Sequence, residues 1–94
     1  MPQSYLSGSK QMITLHSQDG QHFLGLRTGR EGGYEIVYDC GLQRRRFVLL
    51  IKTAQVDARY FRMQLEDAIQ TVDVLTTLSA ALRNAAIEFE TDYD

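Results

Sequence analysis

The chain has 94 residues, a net charge of −2, 44% hydrophobic residues and 23% charged residues. That length corresponds to one domain with a modest core, and the composition is too apolar for a disordered chain. The longest unbroken apolar run covers residues 47–51, far short of the ~20 residues that a membrane-spanning helix needs, so no membrane partner is expected.

The charge is split along the chain. Residues 1–62 carry nine Lys/Arg and five Asp/Glu, a balance of +4; residues 63–94 carry Arg83 alone against seven acidic residues, a balance of −6. Such asymmetry can steer a partner or direct self-association, and an acidic end also favours solubility. Cys40 is the only cysteine, which excludes an internal disulfide and fits a reducing compartment. Residues 1–20 contain no apolar core of a signal peptide, and no lipidation motif is present, so the expected location is cytoplasmic.

Residues 1–10 are rich in small and polar types and are expected to form a flexible arm. A strand is expected over 12–16, where Ile13 and Leu15 alternate with polar neighbours. Asp19-Gly20 then marks a hairpin, because both residues tolerate positive φ. A second strand follows over 22–28, with Leu24 and Leu26 on one face and Phe23 on the other. The glycine-rich stretch 29–33 reads as a turn. Residues 34–40 alternate Tyr34, Ile36, Tyr38 and Cys40 against Glu35, Val37 and Asp39. Residues 47–52 are apolar on both faces, as a central strand is when at least one side is covered. After a connection over 53–58, Phe61, Met63 and Leu65 alternate with Tyr60, Arg62 and Gln64 and predict a fifth strand over 60–65.

The period then changes. Leu65, Ala68, Val72, Leu75, Leu82, Ala86 and Phe89 follow 3-4 spacing, with Ser79 in its one polar place, and the stripe is widened by Ile69, Leu78 and Ala85, which predicts an amphipathic helix over 66–90. Residues 91–94 read as an acidic tail. The expected fold is α+β, one domain over 1–94: an antiparallel meander of four to five strands within 11–65, followed by one long C-terminal amphipathic helix packed on the sheet. A helix of about 25 residues is roughly 37 Å long, whereas five strands span roughly 20–25 Å. The surplus end, bearing Leu82, Ala85, Ala86 and Phe89, is therefore expected to pack on a second copy or a partner. The alternative is a helix broken near Thr76-Thr77, with both halves over one sheet.

Tests for chemistry assign no catalytic, cofactor or metal residues. His16, His22 and Cys40 lack the paired spacing of a zinc site; with Asp19, the histidines offer at most an adventitious site across the hairpin. Ser7 and Ser9 lack a strand–elbow–helix context, and Cys40 reads as a buried, inert thiol. Nothing isolates Glu31, Glu35 or Asp39 in an apolar pocket of the kind that tunes a catalytic carboxyl. Gly25, Gly29, Gly32 and Gly33 match no phosphate-loop spacing. The run Arg44-Arg45-Arg46-Phe47 resembles the start of PilZ domains, which bind cyclic dinucleotides, but the R-x-x-x-R spacing and the later D-x-S-x-x-G motif are absent.

The basic and aromatic residues remain. Arg30, Arg44, Arg45, Arg46 and Arg59 fall in or beside turns, and Tyr34, Tyr38, Tyr60 and Arg62 lie on neighbouring segments. The expected function is a small non-enzymatic protein-interaction module, such as an adaptor, inhibitor or immunity-type protein of a bacterium or mobile element. It would act through this Arg/Tyr surface on a partner with an acidic surface and through its helix, with a homodimer as a further expectation. The alternative is single-stranded nucleic-acid binding by an aromatic sheet face bordered by arginines. The meander-plus-helix outline is similar to that of Whirly-type and Pur-type single-strand binders, a likeness of architecture without a shared motif.

Overall fold

A computed structural model describes residues 11–29, 32–41, 45–52 and 56–93, with the side chains of residues 11, 12 and 45 left undescribed. The expected arm over 1–10 lies outside these residues. The described elements are β1 (Gln11–His16), β2 (His22–Thr28), β3 (Tyr34–Cys40), β4 (Arg45–Ile51), α1 (Ala58–Ala68), α2 (Val74–Asn84) and β5 (Phe89–Tyr93). The strands form one antiparallel sheet in the order β1-β2-β3-β4-β5. The α+β meander expected from the sequence is therefore present.

The first hairpin is built by local polar groups. Gly20 takes φ +72°. The Asp19 carboxylate accepts from the Ser17 hydroxyl and from the Gln21 backbone N–H, the local bonding that favours Asp in turns. Cross-strand partners share a face of the sheet, so the register sorts the paired strand residues. Leu24, Leu26, Ile36, Phe47, Leu49 and Ile51 stand on one face and form the core with Phe61, Leu65 and Ala68 of α1 and Val74, Leu78 and Leu82 of α2. Helix α1 packs over β1 and β2 and lies beside α2.

The helical part corrects the sequence expectation twice. Residues 60–65 are not a strand; they belong to α1. Phe61, Leu65 and Ala68 are buried at helical spacing, while Met63, which completes the strand-like alternation, is exposed. Asp57 starts the helix by accepting from the Arg59 backbone N–H. The single helix expected over 66–90 is two helices and a strand. The break falls at residues 69–73, where Thr71 and Val72 are β-branched and Asp73 caps α2 by accepting from the Thr76 N–H. The Thr71 hydroxyl donates to the Ala68 carbonyl, satisfying an orphan acceptor at the end of α1. Val72, read as part of the apolar stripe, is fully exposed.

Helix α2 ends in a Schellman motif. The Ile87 N–H bonds the Leu82 carbonyl, the Ala86 N–H bonds the Arg83 carbonyl, and Ala86 adopts φ +58°. Ile87 and Leu82 are both buried in the core, completing the hydrophobic contact of that motif. The chain then returns along β4 as β5, in place of the expected helix end and acidic tail.

Candidate interaction surface

The helices cover one face of the sheet. Among the described residues, no helix or strand lies over the other. That uncovered face is made of the residues of opposite parity, arranged in three rows by the register. His16, Phe23, Asp39 and Arg46 form one row, and Thr14, Gly25, Val37, Val48 and Asp92 the next. Arg27, Glu35, Leu50 and Glu90 form the third.

Phe23, Val37, Val48 and Leu50 give this face an apolar strip. Val37 is only 7% exposed, yet it does not belong to the core cluster beneath the helices. Its cross-strand partners on this face are Gly25 on one side and Val48 on the other. Phe23, Val48 and Leu50 are half-buried. Charged groups frame the strip. Arg27 Nε lies 2.7 Å from Glu35 Oε1, Asp39 is the cross-strand partner of Arg46, and Lys52 Nζ lies 2.5 Å from Glu90 Oε2.

The residues nominated from the sequence are distributed differently. Tyr34 and Tyr38 lie on the helix-covered side. The Tyr34 ring is 4.8 Å from that of Phe61 and its hydroxyl donates to the Val56 carbonyl; the Tyr38 ring stacks 4.9 Å from Phe47. Tyr60, on α1, contacts Phe61 edge-on and donates to the Ala81 carbonyl. These three tyrosines work between the layers and do not form a platform on the uncovered face. Arg59 and Arg62 are exposed on α1, where Arg59 meets Asp57 and Arg62 meets Glu66. Arg46 is exposed on the other face. Arg30 and Arg44 lie outside the described residues, and Arg45 is described in its backbone alone. The described arginines of the set are thus divided between the two sides of the molecule.

The residues expected at an overhanging helix end are also separated. Leu82 is 1% exposed within the chain's own core. Ala85 and Ala86 are exposed in the turn after α2, and Phe89 lies in β5 with the Arg83 guanidinium 5.7 Å from its ring centre. The overhang itself disappears with the long helix.

The two histidines point to opposite sides. His16 lies on the uncovered face beside Phe23, whereas His22 is on the helix side, edge-on to Tyr38. The Nδ1 of His22 is buried without a hydrogen-bond partner among the described residues. No group of three or more His, Cys, Asp or Glu is placed to hold a metal ion among the described residues. Cys40 is buried. No described helix is long and apolar enough to cross a membrane.

Sequence reasoning missed Phe23, Val37, Val48 and Leu50 as a group. The signal was available in the parity of the strands: with Leu24, Ile36 and Leu49 assigned to the core, the four fall together on the opposite face. No protein-family model matches the chain, and neither a curated protein nor a solved structure matches it.

Proposed function

We propose that this chain is a small non-enzymatic protein-interaction module that docks a partner on the uncovered face of its sheet. The observation that carries this reading is the strip of Phe23, Val37, Val48 and Leu50, standing together away from the helices. An apolar centre ringed by polar and charged groups is the anatomy of a protein interface. Arg46, at the rim of the strip, is the nominated arginine that belongs to this surface; arginine is a frequent anchor in such sites, and an acidic group of the partner is expected opposite it.

The test compares affinity capture by three baits: the native chain, a Val48→Arg/Leu50→Arg variant, and an Arg59→Ala/Arg62→Ala variant altered on α1. A partner retained by the native and α1-altered baits and lost from the sheet-face variant supports the reading; capture indifferent to residues 48 and 50 overturns it. Anisotropy with short single-stranded oligonucleotides serves as the control. Salt-sensitive binding there would favour a nucleic-acid partner instead.

A further inference from the structure

Strand β5 is an edge of the sheet, and among the described residues only β4 pairs with it. An edge strand offers a row of backbone donors and acceptors to another extended chain. The side chains of β5 restrict which chain that can be. Glu90 and Asp92 project on the uncovered face, two residues apart, while Phe89, Thr91 and Tyr93 project on the helix side. Glu90, Asp92 and Tyr93 are all exposed; Glu90 also meets Lys52 and Asp92 lies near Arg46, so an incoming cation shares each carboxylate with a cation of this chain. A cavity of about 490 Å³ adjoins the start of the strand, lined by Arg83, Ile87 and Phe89 among others. A smaller one of about 150 Å³ adjoins its end, lined by Phe47, Val48, Asp92 and Tyr93 together with Arg46.

We propose that β5 accepts an extended segment of another protein that carries Lys or Arg at alternate positions, adding it to the sheet as a sixth strand. Two cations spaced i and i+2 stand opposite Glu90 and Asp92, because cross-strand residues share a face and opposite charges there attract. The residue between them falls on the helix side beside Thr91, where an apolar side chain is favoured by Phe89 and Tyr93. Main-chain bonds supply affinity and the alternating side chains supply specificity, as in strand addition generally.

A second copy of this chain does not fit. Antiparallel self-pairing of β5 about Thr91 places Glu90 opposite the Asp92 of the other copy, and like charges opposite each other repel. Strand β1 of a second copy offers Thr14 and His16 on the matching face, with no permanent cation. The proposal rests on the reading of the helix-free side as a docking surface, and names the partner chemistry at its border.

The experiment is fluorescence anisotropy with a labelled seven-residue peptide alternating lysine and valine. Its controls are an alternating glutamate–valine peptide and a lysine–valine peptide N-methylated on alternate backbone nitrogens. The lysine–valine peptide is expected to bind the native chain, and Glu90→Gln/Asp92→Asn to weaken it about tenfold, the sum of two cross-strand charge pairs. Glu66→Gln/Asp67→Asn, which removes the same charge from exposed positions on α1, is expected to leave binding unchanged, and N-methylation to abolish it. Absence of binding, equal weakening by both double variants, or binding that tolerates N-methylation overturns the proposal. The acidic residues would then serve only to keep the edge from pairing. Should Glu90→Gln/Asp92→Asn fail to fold, the N-methylated peptide on the native chain decides alone. Failure here with capture still dependent on residues 48 and 50 removes the edge site and leaves the sheet-face reading. The converse pattern removes the sheet-face reading.

Discussion

Lys52 Nζ lies 2.5 Å from Glu90 Oε2 and joins the end of β4 to β5. The pair shows how the charge split of the sequence is resolved: the acidic C-terminal segment returns alongside the basic first part of the chain as a neighbouring strand. Both side chains are more than half exposed, and an ion pair in that setting contributes little. A double-mutant cycle with Lys52→Ala and Glu90→Ala is expected to give a coupling of about 0.2–1 kcal/mol that shrinks as salt is added. Pairing of β5 then depends mainly on its main-chain ladder and on Phe89.

Gly33 tests the close approach of β3 and β4. A Cβ at this position would overlap the carbonyl oxygen of Ile51, so the strands must separate locally to admit any side chain. Gly33→Ala is expected to cost about 1–3 kcal/mol, as overpacking does, read as a lower denaturant midpoint. An unchanged midpoint would mean that the approach is not maintained in solution.

Ala86 is a non-glycine residue in the left-handed region, with φ +58°. That conformation is costly for an L-residue with a Cβ and nearly free for glycine. Ala86→Gly should therefore stabilise the fold by about 0.5–1 kcal/mol. Ala86→Val should do the opposite, since a β-branched side chain is the least tolerant of positive φ. Thermal midpoints that move in these opposite directions confirm the Schellman end of α2.

Asp57 is the N-cap of α1. The Arg59 backbone N–H holds its carboxyl below the ordinary carboxylate range, with the Arg59 charge a smaller cause. A group whose folded-state pKa is depressed contributes stability above its unfolded pKa, and loses that contribution as pH falls through the folded value. Asp57→Ala is accordingly expected to destabilise the chain at neutral pH. The difference from the native chain should close as acid protonates the cap. A gap that stays constant down to low pH would assign the effect to something other than the carboxylate.

The first four strands were legible because their signals are local. Alternation in 34–40, the Asp19-Gly20 turn and the apolar run 47–51 each identify a strand without reference to the rest of the chain. The second half was harder for physical reasons. Tyr60–Arg62–Gln64 against Phe61–Met63–Leu65 satisfies a two-residue period, and only the burial of Phe61, Leu65 and Ala68 together shows the helix. The stripe from Leu65 to Phe89 runs through a break because α1, α2 and β5 all contribute to one core. Leu65, Ala68, Leu75, Leu82 and Phe89 keep a helical phase across the break and pack on that core, whereas Val72 and Ala86, in the same phase, are exposed. The end of α2 carries no glycine at the left-handed position, so its usual stop signal is missing. Asp57 and Asp73 were the available cues, each a capping residue ahead of an apolar-periodic segment.

The candidate surface was less legible than the fold. Tyr34 and Tyr38 share the parity of Ile36 and so were always bound to the helix side once that side became the core. The arginines were grouped by sequence proximity to turns, which does not determine the side of the sheet on which a residue lies. The position of Arg46 opposite Asp39 follows only from the register.

The most direct test of the interaction reading is photo-crosslinking in the organism that expresses the chain, with a benzoylphenylalanine at position 46 or 50 on the uncovered sheet face and at position 63 on the exposed side of α1. The account predicts a discrete protein adduct from positions 46 and 50 and none from position 63. An adduct from position 63 alone, or none from any of the three, would contradict it.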